Sequence, residues 1–133
     1  MKKYFLPLIL SLMLVLTACG ESGPSTTINV KMAEFTFTPD QFTIPAGQEI
    51  TINAENTGAV VHEFVIMKLG EKVGDSFGDE DEANIYWEVE VNPGLSATET
   101  FTAPSEPGEY QIVCGTPGHY ISGMSGKLIV VAQ

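Results

Sequence analysis

The sequence predicts an all-β fold, an antiparallel Greek-key sandwich or barrel of about seven or eight short strands. Apolar and polar residues alternate with period two along most of the chain. Turn-forming Gly, Pro, Asn and Asp interrupt that alternation about every eight to twelve residues, the spacing of a sandwich. No stretch after the N-terminus keeps the 3.6-residue spacing that a helix would need.

Ile28, Val30 and Met32 alternate with Asn29 and Lys31, and Phe35 and Phe37 alternate with threonines up to a Pro39-Asp40 turn. Phe42 and Ile44 run into Pro45-Ala46-Gly47, after which Ile50, Ile52 and Ala54 alternate with Thr51, Asn53 and Glu55. Asn56-Thr57-Gly58 closes that strand and residues 59–67 open the next, in which His62, Phe64 and Ile66 share a face. Residues 68–84 break the pattern with three glycines and the acidic run Asp79-Glu80-Asp81-Glu82, and read as an exposed excursion with room for one short helical turn. Trp87, Val89 and Val91 then alternate with Glu88 and Glu90 to give a strand with an acidic outer face. After the Asn92-Pro93-Gly94 turn comes a weaker strand from Leu95 to Phe101, with Glu99 on its apolar face. Tyr110, Ile112 and Cys114 share a face of the penultimate strand, and residues 127–131 supply the last one.

The first eighteen residues are not expected to belong to the fold. Lys2 and Lys3 precede an apolar run from Tyr4 to Leu16, shorter than the roughly 20 residues a membrane span needs, and read as an export signal. Leu16-Thr17-Ala18-Cys19 resembles the lipobox of bacterial lipoproteins, which implies cleavage before Cys19 and lipid on its sulfur. Residues 19–27, small and polar, would be a flexible tether, and 28–133 one domain. The expected location is extracytoplasmic, lipid-anchored to a bacterial membrane, in the periplasm or on the outer face of the cytoplasmic membrane. Loss of Lys2 and Lys3 takes the formal charge from -11 to -13, with four lysines against seventeen acidic residues. Such a surface repels nucleic acid and attracts a basic protein partner. With Cys19 lipidated, Cys114 stands alone in an oxidising compartment, where a bare thiol is a hazard unless metal or burial protects it.

Cys114-Gly115-Thr116-Pro117-Gly118-His119-Tyr120-Ile121-Ser122-Gly123-Met124 places a thiol, an imidazole and a thioether at five-residue steps in a loop. Thiolate, imidazole and thioether together suit copper. His62, the only other histidine, is a candidate fourth donor. Taken alone it reads first as a core histidine bonded to backbone, because most isolated histidines bind nothing.

Val61-His62-Glu63-Phe64-Val65-Ile66, Tyr110 four residues before Cys114, the Cys-x4-His-x4-Met loop followed by Gly126, and the Phe35-Thr36-Phe37-Thr38-Pro39 and Ile44-Pro45-Ala46-Gly47 segments together resemble the cupredoxins, the blue copper proteins. The likeness covers nearly all of residues 28–132, and the loop spacing is most similar to that of the auracyanins. It implies one type 1 copper ion cycling between Cu(I) and Cu(II), with His62, Cys114 and His119 as trigonal ligands and Met124 as the weak axial one. It also implies an exposed His119 edge in an apolar patch, for which Val60, Pro117, Tyr120 and Ile121 are the rim candidates. Two positions depart from the family. Glu63 stands where plastocyanin and azurin carry an asparagine that ties the copper loops together, and Gly115 where serine or threonine is common, so that side-chain link does not carry over; a backbone N–H at position 63 remains available to the sulfur.

The function expected on this basis is a membrane-tethered monomer, not an enzyme, that shuttles single electrons between redox partners. Those partners would be a basic c-type cytochrome or a membrane redox complex, with no role for nucleic acid. The alternative is an extracytoplasmic copper carrier that delivers metal to an oxidase or stores it.

Overall fold

A computed structural model describes residues 23–133. The export signal, Cys19 and the first part of the tether lie outside the described residues. The described chain forms nine strands: β1 (Thr27–Ala33), β2 (Thr36–Thr38), β3 (Gln41–Pro45), β4 (Glu49–Asn56), β5 (His62–Met67), β6 (Ile85–Val91), β7 (Ser96–Thr102), β8 (Gly108–Val113) and β9 (Ser125–Val131). One 3-10 turn, Glu82–Asn84, precedes β6.

Two sheets face each other, one in the order β2-β1-β4-β7 and the other in the order β3-β9-β8-β5-β6. The sandwich expected from the alternation is present. Most neighbouring strands are antiparallel, but β1 lies parallel to β4 and β3 parallel to β9, so both sheets are mixed. The alternation explains the layers directly. Ile28, Val30 and Met32 of β1 meet Ile50, Ile52 and Ala54 of β4 on one inner face, while Phe64, Ile66, Ile112, Leu128 and Val130 line the other.

β5 departs from simple alternation because it is buried on both faces. Phe64 and Ile66 point into the main core, whereas Val65 and Met67 join Val113 on the outer side of the sheet. Residues 68–84 cover that outer patch, which corrects the expectation of a wholly exposed excursion. Val73 is buried in this second cluster and Phe77 packs against it. Burying a side chain such as Val or Met contributes about 1.5–3 kcal/mol, enough to hold a polar segment down at two or three points. Hydrogen bonds secure it: Lys68 N–H donates to the Asn84 carbonyl, and Val73 N–H to Gln111 Oε1. Within the acidic run Asp81 is buried, its carboxylate accepting the Gly78 N–H, so it is a structural group and not part of a solvated face.

Phe35 also differs from expectation. It does not continue a half-buried strand with Phe37 but sits in the β1–β2 turn with φ 65°, in the left-handed region, and is 46% exposed. The turn folds the chain back, so that β2 pairs antiparallel with β1 while Phe37 alone enters the core.

Candidate metal centre

His62 begins β5, and Cys114 follows the last residue of β8. These strands are hydrogen-bonded neighbours, with Val65 opposite Val113, so the two side chains enter the same end of the core. The loop after Cys114 is a series of tight turns. His119 N–H donates to the Thr116 carbonyl, Gly123 N–H to Tyr120, and Met124 N–H to His119, while Cys114 N–H closes the base on the Met124 carbonyl at 3.1 Å. Gly118 and Gly123 carry positive φ (83° and 102°), a conformation that side chains resist, which explains the glycine before the histidine and before the methionine. Met124 is fully buried beside Cys114.

The donors of three residues converge. His62 Nδ1 and His119 Nδ1 lie 3.1 Å apart, Cys114 Sγ is 3.5 Å from His119 Nδ1, and Cys114 Sγ is 3.8 Å from His62 Nδ1. The centre of that triangle is about 2.0 Å from each corner, the length of a metal bond to imidazole and a little under the roughly 2.3 Å of one to thiolate. One metal ion therefore fits between them. His62 is held below its ordinary pKa, first by burial and then by the neighbouring His119, with Glu34 opposing. A neutral imidazole is the form that ligates. Only the far nitrogen of His62, Nε2, is a buried side-chain N or O atom without a hydrogen-bond partner among the described residues.

The surroundings replace the missing tie with others. Thr116 Oγ1 donates to the Val61 carbonyl at 2.9 Å, joining the metal loop to the strand that carries His62. Asn56 is buried and uses its whole amide: Nδ2 donates to the Val60 and Val91 carbonyls at 2.8 Å each, and Oδ1 accepts the Gly58 N–H. It shapes the loop that delivers His62; the only hint in the sequence was Asn56-Thr57-Gly58, a turn signal. The Glu63 carboxylate lies where a side chain on Gly115 would go, with Phe77 beside it. Glu63 is pushed above its ordinary pKa, first by burial and then by Glu88, Glu90 and Glu82. Among the described residues, Cys114 Sγ has the two imidazoles as polar neighbours and no backbone N–H, so position 63 does not donate to it.

His119 is less exposed than expected, at 8%, because the Phe35 ring stands edge-on against it at 5.4 Å between centroids. Of the rim candidates, Val60 and Ile121 are exposed apolar side chains and Pro117 is exposed. Tyr120 instead turns to the second cluster, where its hydroxyl donates to the Val73 carbonyl and accepts from Gln111. Phe35 and Leu95 join the apolar rim; the Leu95 carbonyl accepts the Asn56 N–H, which sets it at the same end of the sandwich.

The Cupredoxin-like domain family matches residues 6–130. Auracyanin-A of Chloroflexus aurantiacus is 34% identical over 154 aligned residues, covering 94% of each chain. The copper-resistant cuproprotein CopI of Rubrivivax gelatinosus is 29% identical over 78% of this chain and 66% of its own length. The crystal structure of dithionite-reduced auracyanin from the photosynthetic bacterium Roseiflexus castenholzii superposes with a TM-score of 0.69 at 36% identity, covering 82% of this chain and 99% of that one. A sandwich with buried His62, Cys114 and His119 donors at one end, matched along nearly its whole length, identifies the chain as a member of the cupredoxin family.

Proposed function

We propose that this chain is a blue copper electron carrier, in which His62, Cys114 and His119 would hold one copper ion with Met124 as a weaker fourth donor. The triangle of three buried donors around one metal-sized centre carries the reading. Bound there, copper supplies a one-electron Cu(I)/Cu(II) couple, and its preference for mixed sulfur and nitrogen donors fits this set. The residues do the rest. Backbone bonds from Cys114 to Met124 and from Met124 to His119 fix the loop, so the ligands need not rearrange as the charge changes. Four protein donors leave no position for a substrate, which favours electron exchange over turnover. Auracyanin A is described as a blue copper protein from a photosynthetic bacterium, and its similarity supports this function.

Docking would use two adjoining surfaces. Phe35, which packs on the nearly buried His119, and the exposed apolar side chains Val60, Leu95 and Ile121 would make up an apolar docking face at the end of the sandwich that holds the metal centre. Beside it, Glu63, Glu82, Glu88 and Glu90 line one acidic hollow on the outer face of β5 and β6. That charge suits a basic partner such as a c-type cytochrome, with association that weakens as salt rises. Lipid on Cys19 would hold the domain at the outer side of a bacterial membrane; mass spectrometry of the mature N-terminus tests this, and an unmodified Cys19 contradicts it. Electron-transfer rates to a basic c-type cytochrome across a salt series test the docking, with a flat response counting against the acidic hollow.

The second reading, copper delivery or storage, is favoured by the similarity to CopI. Transfer of copper to an acceptor without redox cycling would support it over the first.

A further inference from the structure

The β1–β2 turn reaches both imidazoles. Phe35 stands against His119, and the residue before it, Glu34, approaches His62 from the side away from the metal centre. His62 Nδ1 faces Cys114 and His119, so metal bound there leaves the ring proton on Nε2. That nitrogen is buried and has no hydrogen-bond partner among the described residues. A buried donor without an acceptor is a defect that proteins rarely keep.

Gly58 supplies the geometry. A Cβ at that position would lie 2.6 Å from Glu34 Oε1 and 2.7 Å from His62 Nε2, so the carboxylate oxygen and the orphan nitrogen border the same gap, at most about 5.3 Å apart and not yet hydrogen-bonded. Glu34 is aimed there by the Ala59 N–H, which donates to the same Oε1. Glu34 is itself exposed, and its carboxyl is held below the ordinary range chiefly by that bond, with His62 contributing.

We propose that Glu34 is a positioning residue of the metal centre, the acceptor for His62 Nε2–H across the gap left by Gly58. It fixes the tautomer that leaves Nδ1 for the metal, and its charge favours Cu(II) over Cu(I). A carboxylate behind a ligating histidine orients the ring and raises its basicity, and its loss typically lowers metal affinity about 10–100-fold. This rests on the copper reading above.

The test uses the copper-loaded chain and the variant Glu34→Gln, which keeps an oxygen for Ala59 while removing the charge. Expected are a Cu(II) affinity lower by about 10–100-fold, a smaller change for Cu(I), and hence a higher reduction potential. Pulsed paramagnetic resonance should show a changed quadrupole coupling at the remote nitrogen of one of the two bound imidazoles, while the copper-free chain melts close to the parent. Gly58→Ala, which pushes a methyl group between the two partners, should move the same nitrogen signal. A Glu34→Gln chain with parental Cu(II) affinity, potential and remote-nitrogen coupling overturns the proposal. A parent chain that takes up no copper overturns the copper reading first, and this one with it.

Discussion

The carboxylate of Glu63 occupies the space that any side chain at position 115 would need. The two departures from the family pattern are therefore one feature. A glycine after Cys114 lets the residue after His62 fold over the backbone of the metal loop, with Phe77 of the excursion closing the side.

Gly115→Ala should destabilise the copper-free domain by no more than about 1 kcal/mol, the low end for an overpacked site, because the colliding group is the free end of the Glu63 side chain and can swing aside. Glu63→Ala in the same chain should recover most of that loss, since the colliding group is gone. Denaturant unfolding of the two single variants and the double variant gives the coupling, and additive effects would contradict the contact.

Thr116 joins the loop to the His62 strand through the Val61 carbonyl. Thr116→Val should cost about 0.5–1.5 kcal/mol, the net worth of a hydrogen bond. It should also broaden the copper resonance, because the two ligand-bearing segments lose their side-chain tie. Thr116→Ser keeps the hydroxyl and should restore both the stability and the narrow line.

Asn56 satisfies three backbone groups around the loop that leads to His62. Asn56→Ala should destabilise the domain by about 2–4 kcal/mol, because truncation strands buried carbonyls. Thermal unfolding of the copper-free chain reads this directly, and a loss below that range would show that water replaces the amide.

Tyr110 donates its hydroxyl to the Glu106 carbonyl at 2.7 Å. Its pKa is raised, first by burial and then by Glu106 and Tyr86. A phenol whose folded pKa exceeds its unfolded value of about 10 stabilises the fold fully below that pH, and the contribution is lost as pH rises through the folded value. Tyr110→Phe should therefore cost about 0.5–1.5 kcal/mol at neutral pH and show a shallower loss of stability above pH 10, measured by unfolding across an alkaline series.

Much of this was legible in the sequence because the candidate donors obey short-range rules. Cys114, His119 and Met124 lie on one loop at fixed steps, and the parity of β5 sets His62 on the same face as Phe64 and Ile66. What was not legible depends on contacts between distant segments. The Phe35 and Phe37 alternation looks like one strand, and nothing local shows that Phe35 takes a left-handed turn held by His119, more than eighty residues away. Glu34 is one acid among seventeen until Gly58 brings it to His62. The excursion at 68–84 is polar enough to read as exposed, and only the outward-facing Val65, Met67 and Val113 explain why Val73 and Phe77 are drawn in.

The central claim is that His62, Cys114 and His119 hold one copper ion, and the most direct measurement is the visible and paramagnetic-resonance spectrum of the copper-loaded domain beside that of Cys114→Ser. The account predicts an intense visible band and a type 1 resonance from one copper per chain, both absent in the variant, whose copper-free form still folds. A domain that takes up no copper, or a spectrum unchanged in Cys114→Ser, would contradict it.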